Sequence, residues 1–160
     1  MFEVRIQTEA FDGGAESRRL RAGRSDVGAL VVFEGICRDH APGVEGVQSL
    51  ELEHYPEMTR ASIERMVAQA RARWPLQGAV VVHRVGLLHP GDPIVLVAVA
   101  SSHRHDAFEA CAFLMDYLKT QAPLWKKEAT PQGAQWVDAR EADDEALARW
   151  GIESGNSGTR

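Results

Sequence analysis

The sequence predicts an α+β domain of two layers, and three features carry that prediction. Alternating or continuous apolar runs at residues 2 to 6, 28 to 37, 78 to 85 and 94 to 100 have the character of strands. Two longer stretches, after Pro56 and after Asp106, repeat apolar residues at steps of three and four, as helices with one buried face do. No internal repeat and no break wide enough for a second domain interrupts residues 1 to 150.

In chain order, Phe2, Val4 and Ile6 alternate with Glu3, Arg5 and Gln7 and predict a half-buried strand. Residues 12 to 26 open on Asp12-Gly13-Gly14 and carry Arg18, Arg19, Arg21 and Arg24, which suits a short polar helix or a surface loop with a solvated basic face. GALVVFEGIC, 28 to 37, reads as a central strand in which Gly35 marks a bulge or a close approach. Arg38 then opens RDHAPGVEGVQ, too rich in Gly and Pro to be regular. It is either a mobile lid carrying Arg38 and His40 over an anion, or a plain surface loop. Residues 49 to 55 alternate Leu50, Leu52 and His54 against Glu51, Glu53 and Tyr55, a strand expected to pair with the preceding one as a hairpin.

Ile63, Met66, Val67 and Ala70 then mark a helix that ends near Trp74-Pro75. Residues 78 to 85 form a strand, 87 to 92 a turn, and 94 to 100 a strand apolar enough to be covered on both faces. Trp136 and Val137 centre a short strand, 141 to 150 reads as a last polar helix, and 151 to 160 has the composition of a disordered tail.

The helix after Asp106 holds most of the functional information. Asp106 with Glu109 makes a capping box, so the helix should begin near Ala107, and Pro123 should stop it near Gln121. Phe108, Cys111, Ala112, Met115 and Leu118 form its apolar face. At ~100° per residue, Lys119 lies within ~20° of Phe108 and Ala112 and ~40° of Met115. It therefore projects from that face rather than away from it. His103, Arg104 and His105 stand before the helix, and Lys126, Lys127 and Glu128 follow it. Converging cations of this kind suit an anion-binding cleft, and a desolvated lysine can serve as base or nucleophile. The competing reading is that Lys119 snorkels from the end of a core helix and the other cations are solvated.

Composition narrows the classes further. The 160 residues are 44% hydrophobic and 26% charged, enough to bury a core without metal or disulfide. A net charge of -5 argues against a general nucleic-acid binder and leaves room for a small-anion cleft. Neither a signal peptide nor a membrane span is signalled, so a cytoplasmic protein is expected. Cys37 and Cys111 lack a CxxC spacing. No G-x-S-x-G, G-x-x-x-x-G-K-[ST] or H-E-x-x-H occurs, and a metal site on His40, His103 and His105 lacks an obvious further ligand, so no metal and no cofactor are expected.

Beyond this point the residues carry a resemblance. F-E-G-I-C-R (33 to 38), L-E-H-Y-P-E-M (52 to 58), H-R-V-G-L-L-H-P-G-D (83 to 92), S-H-R-H-D-A-F-E-A (102 to 110), M-D-Y-L-K-T-Q-A-P-L-W-K-K-E (115 to 128) and W-V-D-A-R-E (136 to 141) are ordered segments. Together they resemble the large, catalytic subunits of molybdopterin synthase, from about Gly28 to Trp150. The resemblance implies an α/β-hammerhead type of fold with additional antiparallel β structure. It implies a homodimer within a heterotetramer, each large subunit binding a small ubiquitin-like sulfur carrier. That carrier's Gly-Gly C-terminus, as a thiocarboxylate, gives sulfur to cyclic pyranopterin monophosphate and so forms the molybdopterin dithiolene. Carried over by position, Lys119 and Lys126 stand at the chemistry. Arg38, His103, Arg104, Lys127 and Glu128 fall where contacts to the pterin substrate or to the lysines are expected, with Arg140 a weaker candidate. The alternatives from the residues alone are a non-enzymatic module that holds a partner's C-terminal tail in a cationic cleft, and a metal-dependent hydrolase on His103 and His105.

Overall fold

In the computed structural model of the chain, the described residues are 1–41, 43–122, 124–137 and 141–151; for 41, 44, 125, 135 and 141–144 the backbone alone is described. The first strand, β1 (Phe2–Gln7), leads into helix α1 (Gly13–Arg21), whose Asp12 cap accepts from the Ala15 amide at 3.0 Å. β2 (Ala29–Ile36) follows, then a two-residue ladder of β3 (His40–Ala41) with β4 (Val44–Glu45), and β5 (Ser49–His54). Helix α2 (Pro56–Arg73), β6 (Leu76–Arg84), β7 (Gly86–Leu88), β8 (Pro93–Ser101) and helix α3 (Arg104–Thr120) form the middle of the chain. β9 (Leu124–Thr130), β10 (Gly133–Val137) and helix α4 (Glu141–Ala148) end it. The expected tail from 152 onward lies outside the described residues.

The larger sheet has the order β1-β6-β8-β2, with β1 parallel to β6 and the other pairs antiparallel. Alternation on β6 and β8 sorts the core into two faces. Ala79, Val81, Val97 and Val99 pack with Ile63 and Met66 of α2 and Phe113 and Leu114 of α3. Val80, Val82, Leu96 and Ala98 pack with Leu20 of α1 on the other face. β6 and β8 are buried on both faces because each lies between two strands with helices packed over it, as the continuous apolar sequence of β8 requires. On the α1 side, Glu16 is buried but accepts from both Arg5 and Arg19, which offsets the cost of removing a carboxylate from water.

The second sheet, β10-β9-β5-β7, has its own small core of Leu50, Leu52, Val85, Leu88 and Cys37. Its existence corrects two expectations. β5 pairs with β7 and β9, not with β2 as a hairpin. β2 is an edge strand and not a central one, with Val32, Phe33 and Ile36 exposed. The bulge expected at Gly35 is present, between Gly35 and Ile36.

Two further differences concern α3. It begins at Arg104 with His103 as a cap that makes no side-chain hydrogen bond, so Asp106 sits in the first turn, where it favours the helix dipole. Phe108 is not in the core but 62% exposed; the buried residues are Ala107, Ala110, Cys111, Phe113, Leu114 and Leu118. The apolar stripe is thus rotated away from the expected one. The C-terminal end falls as expected, with the Gln121 amide donating to the Tyr117 carbonyl at 2.8 Å. Beyond it, Trp150 fastens the C-terminal segment to α3. Its ring stands edge-on to Trp74 and Phe113, and its Nε1 donates to Asp116 at 2.7 Å.

Candidate active site

The two sheets and the C-terminal end of α3 leave between them a cavity of about 280 Å³. Its floor is the α3-facing side of the larger sheet. Phe33 and Gly35 of β2 come from the edge strand, beside Val95 of β8 and His83 of β6. Gly35 suits the floor because a Cβ there would lie 2.8 Å from a Val95 methyl. Met115, Leu118 and Lys119 of α3 form one wall, and Leu50 of β5 with Leu124, Lys126 and Glu128 of β9 forms the other. Cys37, Arg38 and His40, just past β2, lie at its edge.

Lys119 reaches this cavity because of the rotation of α3. The row Phe108, Ala112, Met115, Lys119 is the rim of the buried stripe rather than its centre, running from an exposed ring through two half-buried residues to an exposed ammonium. The angular relation read from the sequence holds, and the row's environment differs from the expected one. Among the described residues, neither Lys119 nor Arg38 forms an ion pair. Cations without carboxylate partners at the mouth of a cleft are available to an anion.

Strand parity places the next group. Lys126 stands opposite Leu52 and Val137, and Glu128 opposite Leu50, so both share the inner face of the second sheet with its buried leucines. Lys127, one residue between them, points to the other face. There it stands opposite Glu51 and 5.6 Å from the ring centre of Trp136. The expected set is therefore divided: Arg38, Lys119, Lys126 and Glu128 line one cavity, and Lys127 does not.

His103 and Arg104 do not line it either. They stand exposed at the opposite end of α3, and the 1.5 Å rise per residue puts Arg104 roughly 22 Å from Lys119 along the helix. That end is well anchored. Gln77 donates to the Asp26 carbonyl at 2.6 Å and to Ser102 Oγ at 2.7 Å, fixing the turn before the helix. Arg140 lies outside the described residues.

Two cavity groups were not singled out by sequence reasoning as site residues. Cys37 is buried, and desolvation, then the charge of Asp92, raises its thiol above the usual range, so it is a poor thiolate source. His83 is the more informative. It is 6% exposed, and burial lowers its pKa to about 4 against the opposing effect of the Arg84 carbonyl, with the charges of Lys126 and Lys119 adding to the drop. The imidazole is neutral at working pH. Its only sequence signal is a histidine ending the strand run GAVVVHR at the same parity as Ala79 and Val81, the residues that face α2 and α3. No group of three metal-ligating side chains occurs among the described residues. No described helix is long and apolar enough to cross a membrane.

Comparisons with known proteins agree on one family. The model of the MoaE protein family matches residues 6–121. A molybdopterin synthase catalytic subunit from Ralstonia nicotianae is 56% identical over 96% of this chain and 87% of its own length. Among solved structures, a molybdopterin biosynthesis MoaE protein from Burkholderia ambifaria superposes with a TM-score of 0.81 at 54% identity, covering 96% of this chain and 100% of that one. A complex of subunits 1 and 2 of molybdopterin-converting factor from Helicobacter pylori shares the fold, with a TM-score of 0.68 at 22% identity, over 86% of this chain and 91% of that one. A family model spanning most of the chain and a relative more than half identical over nearly all of it lead to one conclusion: the chain belongs to the MoaE family.

Proposed function

We propose that this chain is the catalytic subunit of a molybdopterin synthase. In this reading it transfers sulfur from the thiocarboxylated C-terminus of a small ubiquitin-like subunit to cyclic pyranopterin monophosphate, in molybdenum cofactor biosynthesis. The observation that carries the reading is the cavity in which Lys119 and Lys126 approach from two different elements, with Arg38 at its edge. A monophosphate substrate needs fixed cations, and an extended Gly-Gly tail has no side chains to hinder its entry into a narrow cleft. The thiocarboxylate sulfur bonds to a precursor carbon, displacing an oxygen substituent, which leaves the tail joined to the pterin through an acyl–sulfur bond. Water then adds to that acyl carbon, negative charge develops on the carbonyl oxygen where an ammonium beside it lowers the barrier, and collapse expels the sulfur on the pterin as a thiolate and releases the tail as a carboxylate. Cys37 takes no part as sulfur carrier, consistent with a buried thiol held in its protonated form.

His103 and Arg104 belong to the same reading through assembly. They are too far along α3 to reach their own chain's cavity, so they contact substrate only in the cavity of a second copy. Among the described residues the outer edge of β2 has no strand partner, and with exposed Val32, Phe33 and Ile36 it supports such a homodimer, since a free edge with an apolar surface favours pairing. The small subunit completes a heterotetramer, acting in the cytoplasm.

The test is reconstitution. Protein, thiocarboxylated small subunit and precursor are combined and the dithiolene product is assayed. Product formation that is lost in Lys119→Ala and Lys126→Ala is expected. Tail binding without any turnover by the unaltered chain would instead mean a binding module.

A further inference from the structure

The cavity has cations at its open side and is apolar at its bottom, with one exception. Arg38 and Lys119 are exposed at the mouth, whereas Val47, Leu50, Val95 and Leu118 are buried parts of the lining. Among the described lining residues that are buried, only His83 has a side chain bearing nitrogen or oxygen. It stands on β6, and its Nδ1 lies 2.7 Å from the Arg84 carbonyl oxygen. A carbonyl only accepts, so Nδ1 carries the proton and donates, and Nε2 presents a lone pair. Among the described residues Nε2 has no hydrogen-bond partner, and it is not sealed off. A buried acceptor that the fold leaves unpaired is placed to receive a donor from outside the chain.

We propose that His83 is a binding residue for the pterin precursor, its Nε2 accepting a hydrogen bond from an N–H on the edge of the substrate's ring at the bottom of the cavity, while the cations at the mouth hold the phosphate. The inference rests on the sulfur-transfer reading for the identity of the substrate. Two molecules enter the cavity in that reading, and its layout separates them. The tail's reacting group is anionic and belongs beside Lys119 and Lys126, so its backbone stays toward the mouth. The precursor's phosphate is drawn to the same cations, and its flat fused ring extends inward from them. There the ring meets Val95 and Leu118, and its N–H groups lose water and need acceptors. Arg38, Lys119 and Lys126 offer none, because guanidinium and ammonium groups only donate. Glu128 accepts, but it is half-buried on the β9 wall; His83 is the acceptor of the buried end.

A neutral imidazole suits the task. Desolvation above all, opposed by the Arg84 carbonyl and joined by the charges of Lys126, Lys119 and His54, keeps it unprotonated at working pH. A carboxylate at the same depth would bring a buried charge, whereas imidazole accepts without one. The bond from Nδ1 to the Arg84 carbonyl fixes both the tautomer and the ring plane, so Nε2 accepts from one direction. A fixed acceptor at the bottom thereby selects which edge of the substrate's ring enters first.

The test uses the whole protein with three separate probes: the precursor, inorganic phosphate and the small subunit. In the unaltered chain, the ¹⁵N resonance of His83 Nε2 should be that of an unprotonated nitrogen and should move toward the protonated position when the precursor binds. Phosphate and the small subunit should leave it in place. A resonance unmoved by saturating precursor, or moved as far by either other probe, overturns the assignment. His83→Asn keeps a donor for the Arg84 carbonyl and removes the acceptor, whereas His83→Gln returns an amide oxygen at that reach. His83→Asn should weaken precursor binding about tenfold, with affinity for phosphate and for the small subunit within a factor of about two. The loss should appear in KM for the precursor rather than in kcat, because the bond is present before and during sulfur transfer. His83→Gln should recover part of the affinity. Equal losses for precursor and phosphate would mean a distorted cavity, and full precursor affinity in a folded His83→Asn would mean that no such bond is made; either result refutes the proposal. If the unaltered chain binds the precursor and makes no dithiolene with the thiocarboxylated small subunit, the sulfur-transfer reading falls, while the resonance and the affinities still decide the role of His83.

Discussion

The two ends of α3 carry the same chemistry and have different surroundings. His103, Arg104 and His105 crowd its start, where the helix dipole disfavours cations, and all three are exposed. Lys119 sits alone in the last turn, where the dipole favours it, at the mouth of the cavity between the two sheets. The comparison teaches that a cluster of cations becomes a site only where walls converge on it. The sequentially dense cluster is at the open end, and the enclosed one is assembled from residues 38, 119 and 126.

Perturbations along the helix should separate its parts. The largest effect is expected in the middle, where Phe113 is fully buried between Trp74, Tyr117 and Trp150. Phe113→Ala should cost about 3–5 kcal/mol in denaturant unfolding and disturb both ends together. Next comes the enclosed end, where Lys119→Ala should lower the rate of dithiolene formation ~10²-fold or more without altering the melting temperature.

Acid should act on the same end. The folded-state pKa of His83 is depressed from 6.5 to about 4, so below pH 6.5 the unfolded chain binds the proton more readily. Its contribution is intact above pH 6.5 and is lost as pH falls toward 4, amounting to about 3 kcal/mol at 1.36 kcal/mol per unit. Urea titrations across that window should show the loss in the unaltered chain and its absence in His83→Asn.

A smaller effect tests the open end. If its cations serve a neighbouring copy, an equal mixture of Lys119→Ala and Arg104→Ala chains, each nearly inactive, should regain roughly a quarter of full activity through dimers holding one intact site. The smallest effect belongs to the exposed ring on the rim: Phe108→Ser should change stability by less than about 0.5 kcal/mol.

Local periodicity explains what could be read in advance. The alternation of β1, the continuous apolar run of β8 and the spacing of Ile63, Met66, Val67 and Ala70 depend on each element's own buried face, so these elements fall where expected. Partner choice leaves no such trace. The strand Ala29–Ile36 is as apolar as a central strand yet lies at an edge: Val31 packs into the core beneath α3, while among the described residues the strand's outer edge has no partner. The strand Leu124–Thr130 went unread because LWKKEAT buries a lysine-bearing face, and Lys126 and Glu128 mask the period-two signal. For the site, the angle of Lys119 was visible because it is internal to one helix. The meeting of Lys119 with Lys126 and His83 depends on a second sheet docking against the first, which no single stretch of sequence records.

The claim that the enclosed end of α3 is the anion site is tested most directly by a crystal structure of the chain grown in phosphate. The account predicts phosphate density inside the cavity, in contact with Arg38, Lys119 and Lys126. Phosphate bound only at the helix start, with the cavity occupied by water alone, would contradict it.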